Sequence, residues 1–387
     1  MKPRPATAGR LLPGTTLLAW RNLVAERGRL MVTLAGVAFS VVLMGAQLAL
    51  LLAFARAASN LVDHADADLW VTQPGTSNVD IAAGMDLARR HQALAVPGVA
   101  SVDPYMVQFA FWRRPDGGTE SVIVTGFDLA SGRGGPWNLV EGSVADLAMP
   151  DSVIADRLFL RKLGIERIGD TVEINNRRAR LVGITEGIRT FTQSPYVFTS
   201  HAQAQRYTFF RPDQTTYLLV KLEPGADRDA VRAALAERLA PARVWTRVEF
   251  ARQTQRYWLV TTGAGSALLL AATLGLVVGV VIVGQTLYAT TVDRIAEYAT
   301  LRAMGAPRGY LNTVILKQSV IAALAGYLLG ALTVLAIAWV QREATAALAL
   351  SPWLMGLLAL LTLLMCALGA LISIRRVTRL DPGEVFR

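Results

Sequence analysis

Residues 30–55 read LMVTLAGVAFSVVLMGAQLALLLAFA, with no Asp, Glu, Lys or Arg from Leu30 until Arg56 closes the run. A helix rises about 1.5 Å per residue, so roughly 20 such residues cross the ~30 Å hydrocarbon layer of a bilayer. Three later stretches share the property: Tyr257–Val292, Gln318–Gln341 and Ala344–Ile374. The first run is far longer than the roughly 7–15 apolar residues of a secretory signal core. It therefore reads as an uncleaved span, although Ala53–Ala55 imitates a cleavage site.

Composition agrees with a membrane protein. Of 387 residues, 53% are hydrophobic and 18% charged, where a soluble globular chain carries about a quarter charged. The single cysteine, Cys366, excludes a disulfide framework, and with only three histidines it argues against a Cys/His zinc site. No Walker A, GxSxG or HExxH pattern occurs, so if this chain works by ATP, another chain must hydrolyse it.

Charge orients the spans. Between Ala57 and Arg256 roughly 23 basic and 23 acidic residues cancel, so the net charge of +10 sits around the membrane segments. Lys2, Arg4, Arg10, Arg21, Arg27 and Arg29 precede the first span. Arg294, Arg302, Arg308 and Lys317 join the second to the third, and Arg375, Arg376, Arg379 and Arg387 follow the fourth. Lys and Arg are retained on the cytoplasmic side. Both termini and the second connection are expected inside, and the region between the first and second spans outside. The basic excess is spread over juxtamembrane segments, which fits topology and contact with anionic lipid rather than nucleic-acid binding.

Thr15–Arg29 places Leu17, Leu18, Trp20, Leu23 and Val24 on one helical face. It reads either as a helix lying in the inner interface or as a cytoplasmic extension of the first span. In the outer region, Asp68–Gln73, Val99–Trp112, Glu120–Phe127 and Arg243–Val248 read as strands, and Ala82–Leu94 and Asp227–Leu239 as helices. Thr171–Ile174 and Arg180–Ile184 flank Asn175-Asn176, a hairpin turn because Asn tolerates positive φ. The two helix-then-strand units read as halves of a split α+β domain enclosing a more β-rich insert. Tyr257–Val292 is roughly ten residues longer than one crossing needs, so Tyr257–Ser266 is expected to project outward as a stalk. Gly275 and Gly279, and Gly326 and Gly330, form small-xxx-small pairs suited to close helix contact.

Between the second and third spans lies Asp293-Arg294-Ile295-Ala296-Glu297-Tyr298-Ala299-Thr300-Leu301-Arg302-Ala303-Met304-Gly305-Ala306-Pro307. Asp293 can N-cap a helix, Gly305 can end it and Pro307 blocks its continuation. Ile295, Tyr298, Leu301 and Met304 give that short helix one apolar stripe, which can dock in a partner's groove or rest on the membrane. The segment resembles the coupling-loop motif of the FtsX/MacB-type ABC permeases, and Ala296–Gly305 is most similar to the DevC-like branch. Leu18-Ala19-Trp20-Arg21-Asn22-Leu23 resembles the motif before that family's first span. Thr378-Arg379-Leu380-Asp381-Pro382-Gly383-Glu384-Val385 resembles its C-terminal signature. Ile168–Ile174 and Val182-Gly183-Ile184 are similar to its extracytoplasmic domain. The resemblance covers nearly the whole chain.

The resemblance implies four transmembrane helices in a one-plus-three layout, with a large α+β extracytoplasmic domain between the first and second. Residues 1–29 would be a cytoplasmic N-terminal helix, 30–55 the first span and 56–256 the periplasmic domain. Residues 257–292 would be stalk and second span, 293–306 the coupling helix, 307–341 and 344–374 the last two spans, and 375–387 a cytoplasmic tail. The chain would be an inner-membrane permease subunit of an ATP-driven exporter, working as a homodimer with a separate ATPase that carries the ATP-Mg. A periplasmic adaptor and an outer-membrane channel would complete it. Glu297, Tyr298, Leu301, Arg302, Met304 and Gly305 would sit in the ATPase groove, with Arg379 and Asp381 nearby. The alternatives are extraction of lipoproteins or lipids from the outer leaflet, and a scaffold relaying ATPase cycles to cell-wall enzymes. No catalytic, cofactor or metal site is expected. Asp63, His64, Asp66 and Asp68 read as a solvated strand approach, and Gln47 and Gln285 as partners in helix-to-helix hydrogen bonds.

Overall fold

The computed structural model describes residues 14–297, 300, 306, 307, 309–342 and 348–377. They divide into a sheet unit, residues 52–266, and a membrane unit built from the described residues before and after it. Helix α1 (Thr15–Ala25) and helix α2 (Arg27–Asp63) come first, separated by Glu26 at φ −112° and ψ 73°. The amphipathic stretch expected as one helix over 15–29 is thus broken before Arg27. Helix α2 also outruns the charge-free segment, because Ala57, Ala58, Leu61 and Val62 are buried within the sheet unit.

The sheet unit continues with β1 (Leu69–Thr72), β2 (Met85–Asp86), α3 (Arg89–Leu94), β3 (Val99–Arg113), β4 (Thr119–Phe127) and β5 (Leu139–Gly142). Next come β6 (Ser152–Asp156), α4 (Leu160–Leu163), β7 (Thr171–Ile174), β8 (Arg177–Thr185), β9 (Tyr196–Ser200) and α5 (His201–Thr208). It closes with β10 (Gln214–Thr215), β11 (Tyr217–Leu222), α6 (Arg228–Arg238), β12 (Arg243–Thr246), α7 (Arg247–Arg256) and a π-helical turn, Tyr257–Thr261. The main strand order is β12-β1-β11-β3-β4-β9-β6-β8-β5, and β7 pairs with both β3 and β8. The path β3-β4-β9-β6-β8-β7 therefore closes on itself. One face of it carries Ala110, Trp112, Val124, Ile174, Leu181 and Val197, covered by Phe159, Leu163 and Tyr207.

The split α+β arrangement is present: Val71, Val102, Leu218 and Val220 pack under Ala93 of α3 and Val231 and Leu235 of α6, and the closed strand path is the insert. The β7–β8 turn is made by Asn175 and Asn176 at φ 48° and 61°, the left-handed pair that a two-residue hairpin requires. Two expectations fail locally. Ala82–Leu94 is helical only from Arg89, because Gly84 lies where a Cβ would strike the Phe210 ring at 2.7 Å, and Met85–Asp86 pairs with β10. The strand expected to reach Val248 stops at Thr246. Thr246 caps α7 by accepting from the Glu249 amide, while Glu249 Oε2 accepts from the Thr246 amide.

In the membrane unit, α8 (Ala264–Asp293), α9 (Tyr310–Val340) and α10 (Pro352–Val377) join α2 as the four apolar spans, with mean hydropathies of 2.3 to 2.7. Their core is Val37, Val41, Met44, Val283, Leu287, Ile315, Leu358 and Met365. A Cβ at Gly326 would run into Val37, and one at Gly330 would lie 2.6 Å from Val41 and 2.9 Å from the Ala38 carbonyl. One at Gly275 would lie 3.2 Å from Leu43, and one at Gly279 would strike Met365 and approach Ser40 Oγ to 2.8 Å. Helix α2 is thus approached by α9 on one side and α8 on another at glycine surfaces. Helix α1 buries Ala19, Asn22 and Leu23, and Lys317 of α9 donates to Thr15 and Thr16 at 2.7 Å each. Leu17 and Trp20 remain exposed.

Candidate functional site

Two clusters of polar and aromatic residues stand out, one in each unit. The first lies where α8 ends. Arg29 of α2 pairs with Asp293, the last residue of α8, and with Glu26 at 2.9 Å. Arg294 pairs with Glu26 at 3.7 Å and Glu297 at 3.3 Å, and donates to Asn22 Oδ1 at 3.0 Å. Charges alternate along the series Asp293, Arg29, Glu26, Arg294, Glu297. Each pair is partly exposed and worth at most about 1 kcal/mol, so the series fixes geometry more than it adds stability. Asp293, expected as a helix N-cap, instead ends α8 and is paired with Arg29. Glu297 is exposed apart from its contact with Arg294. Tyr298, Leu301, Arg302, Met304, Gly305, Arg379 and Asp381 lie outside the described residues.

The second cluster lies in the sheet unit, where the end of α2 and the π-helical turn meet one loop. Asp80 is buried, and its carboxylate accepts from the Tyr196 hydroxyl at 2.9 Å and from Trp258 Nε1 at 3.0 Å. Burial pushes its pKa up to about 6, and the two donors hold it down against that. Asn78 Oδ1 anchors the loop beneath it by accepting from the Asp80 and Ile81 amides. The Trp258 ring lies 4.8 Å from Phe191, which meets Phe54 of α2 edge-on at 5.2 Å. Asn60 of α2 donates to the Arg189 carbonyl at 3.2 Å, and Gln255 of α7 donates to Ser59 at 2.9 Å.

The loop that carries Arg189 and Phe191 is itself pinned. Asp156 accepts from Thr185 Oγ1 at 3.0 Å, from the Ile188 amide at 2.8 Å and from the Gly187 amide at 3.3 Å. Burial raises the Asp156 pKa, opposed by these donors. Loop 186–195 therefore grips both chain segments that lead out of the sheet unit. Sequence reading missed Asp80, Phe191 and Trp258. The adjacent aromatics Tyr257-Trp258 at the start of an apolar run were the available signal.

The acidic group near α2 is spent on protein partners. Asp66 pairs with Lys221 at 2.7 Å, Asp68 accepts from the Leu222 amide at 3.0 Å, and Asp63 accepts from Ser59 at 2.7 Å. His64 stacks on Trp137 at 4.2 Å. His201 contacts Thr215 Oγ1 at 3.1 Å, and burial lowers its pKa to about 4. Both clusters are built to hold elements in register, and their residues show no nucleophile set beside a base.

Residues 30–238 match the MacB-like periplasmic core domain, and residues 269–382 match the FtsX-like permease C-terminal domain. An uncharacterized ABC transporter permease of Mycobacterium tuberculosis is 25% identical over 386 residues, covering 95% of this chain and 98% of that one. Another, of Mycobacterium bovis, is 23% identical over 347 residues, covering 85% and 87%. Among solved structures, the periplasmic region of MacB from Actinobacillus actinomycetemcomitans aligns at a TM-score of 0.39 and 12% identity, over 50% of this chain and 94% of that one. The extracellular domain of the ABC-type transporter YknZ from Gram-positive bacteria aligns at 0.36 and 12%, over 46% and 99%.

Proposed function

Because the chain belongs to the ABC transporter permeases that join a MacB-like periplasmic core domain to an FtsX-like permease domain, we propose that it is the permease subunit of an ATP-driven exporter working by mechanical transmission. A separate ATPase hydrolyses ATP-Mg at the cytoplasmic face and grips segment 293–306. Two copies of the permease stand over two copies of the ATPase in the bacterial inner membrane, with both termini inside. The sheet unit acts outside, in company with a periplasmic adaptor and an outer-membrane channel.

The observation that carries this reading is the ion-pair series from Asp293 through Arg29 and Glu26 to Arg294 and Glu297. It ties the inner ends of α2 and α8 to the first residues of the segment that the ATPase would hold. A displacement of that segment then moves both helices together. Helix α2 runs unbroken from Arg27 to Asp63 and carries the movement outward. The spans support a mechanical rather than an ion-coupled cycle: Lys317 of α9 is occupied by Thr15 and Thr16, and no acidic residue lies between α2 residue 30 and residue 62 or within α9.

The test is reconstitution with a candidate partner ATPase, identified by its co-purification with this chain. Leu301→Asp and Met304→Asp should leave ATP hydrolysis by the ATPase intact while abolishing work in the sheet unit, read as loss of export. Full export in both variants overturns the reading.

A further inference from the structure

Strands β3, β7 and β8 lie side by side and set three charged residues in one row. Arg113 stands opposite Glu173, and Glu173 stands opposite Arg178. Side chains alternate between the two faces of a strand. Trp112, Val172, Ile174, Ala179 and Leu181 are buried in the insert's core, so Arg113, Glu173 and Arg178 project from the opposite face. Thr171 and Arg180, the next register pair, lie on that same exposed face. Neighbouring strands are about 4.8 Å apart, so the backbones of Arg113 and Arg178 are separated by roughly 10 Å. Two arginine side chains can meet on one small group across that gap.

The row lines a cleft of about 540 Å³, together with Arg114 and Pro115 from the turn between β3 and β4. That volume falls within the range of small-ligand clefts, about 300–1,000 Å³. Three arginines face one glutamate in its lining, and they differ in how far they are engaged. Arg114 is held by Asp116 at 2.6 Å and Glu120 at 3.9 Å. Arg113 pairs with Glu173 at 3.4 Å, with both side chains about half exposed, a contact worth little. Arg178 has neither an ion pair nor a side-chain hydrogen bond among the described residues, although Glu173 is its register partner. The Arg180 guanidinium is likewise unpaired. A surplus of positive charge in a concave wall concentrates the field on whatever enters it.

We propose that this cleft binds a phosphate group, free or as the phosphomonoester of a lipid headgroup, on the guanidinium forks of Arg113 and Arg178 and the Thr171 hydroxyl. A guanidinium carries five donors and no acceptor, in a planar fork that matches two oxygens of an oxyanion. One fork satisfies a carboxylate. Two forks from opposite sides and a hydroxyl leave donors over unless the occupant brings more oxygens and a second charge, as phosphate does. Glu173 holds the place of that anion in the empty cleft. Its carboxylate leans on Arg113 and is displaced when the ligand takes that fork, at small cost because the pair is exposed. Arg114 keeps its acidic partners and contributes through its charge. The inference concerns the sheet unit alone and does not rest on the exporter reading.

The experiment titrates the full-length chain, in phosphatidylcholine nanodiscs at low ionic strength, with inorganic phosphate. Saturable binding is expected, weakening as sodium chloride is added. Arg178→Ala should weaken it about ten-fold, the scale of a charge-assisted hydrogen bond. Thermal unfolding should not change, because Arg178 is exposed. Glu173→Gln should tighten binding about three-fold, since it removes the carboxylate that competes for Arg113. A part in folding alone would not raise affinity. Soluble dihexanoyl phosphatidic acid distinguishes the sources, counting the binding that Arg178→Ala removes. Affinity above that of inorganic phosphate identifies a lipid headgroup, and equal or lower affinity identifies free phosphate; both support the site. Absence of saturable phosphate binding overturns the inference. So does binding that Arg178→Ala and Glu173→Gln both leave unchanged, and so does acetate binding as tightly as phosphate.

Discussion

Trp258 Nε1 donates to Asp80 Oδ2 at 3.0 Å, joining the π-helical turn that precedes α8 to a carboxylate buried in the sheet unit. Among the described residues the other hydrogen-bond partner of that carboxylate is the Tyr196 hydroxyl, which carries no positive charge. Such a bond is strengthened by the negative charge and by exclusion of water. It couples the protonation of one group to the grip on the segment that enters the membrane.

The first consequence is a pH dependence of stability. Asp80 has a folded pKa of about 6 against an ordinary value of 3.8, so the native chain holds this proton more tightly than the unfolded one. The stabilisation is present in full below the unfolded value and is lost as pH rises through about 6. The gap corresponds to about 3 kcal/mol. Asp156 acts in the same direction, so the contribution of Asp80 is read as a difference. Thermal unfolding of wild type and Asp80→Asn from pH 4 to 7.5 should show wild type losing stability relative to the variant as pH rises. Parallel curves would exclude the carboxylate as the source.

Trp258→Phe tests the bond itself. Phenylalanine keeps an aromatic ring beside Phe191 but removes the indole donor, leaving Asp80 with Tyr196 alone. The stability cost should be about 1–3 kcal/mol, the scale for leaving a buried polar group short of a partner. If the turn transmits movement, ATP hydrolysis in the reconstituted complex should persist while export falls. Equal losses of both would assign Trp258 a purely structural part.

What could be read from the sequence divides by range. The Asn175-Asn176 hairpin and the Asp227-capped α6 were legible because their determinants lie within a few residues of each other. The four spans were legible because lipid demands long apolar runs whatever their neighbours. Asp80 and Trp258 are 178 residues apart, and neither type is unusual in its own surroundings, so nothing local announces that they meet. Ala82–Leu94 looked helical because Ala, Leu and Arg favour helices, but packing of Phe210 on Gly84 outweighs that preference. The Thr246–Glu249 capping box was written in the sequence, and strand-like Val244 and Trp245 hid it.

Glycines on α8 and α9 should differ sharply in tolerance. At Gly330 an added methyl group meets Val41 at 2.6 Å and backbone oxygen of Ala38 at 2.9 Å, and the backbone cannot yield as a side chain can. Gly330→Ala should cost about 1–3 kcal/mol, as overpacking does. At Gly284 the same methyl group meets its nearest neighbour at 3.5 Å, an ordinary contact. Gly284→Ala should therefore leave the melting temperature of the detergent-solubilised chain nearly unchanged. A reversal of that order would mean that α9 does not approach α2 at Gly330.

Arg29 and Asp293 separate stability from transmission. Their contact is partly exposed, with side-chain exposures of 39% and 51%, and water screens it, so Arg29→Ala or Asp293→Ala should change unfolding stability by less than about 1 kcal/mol. The same contact ties Arg29, near the start of α2, directly to Asp293 at the end of α8. If segment 293–306 is the place where the ATPase acts, either variant should lower export at unchanged ATP hydrolysis. The charge swap Arg29→Asp with Asp293→Arg should restore it, because the swapped pair again links the two helices. Export unaffected by the single variants would show that movement passes from α8 to α2 through the apolar core and the Gly275 and Gly279 surfaces instead, and failure of the swap to rescue would tie the loss to Glu26 and Arg294, which keep their original charges.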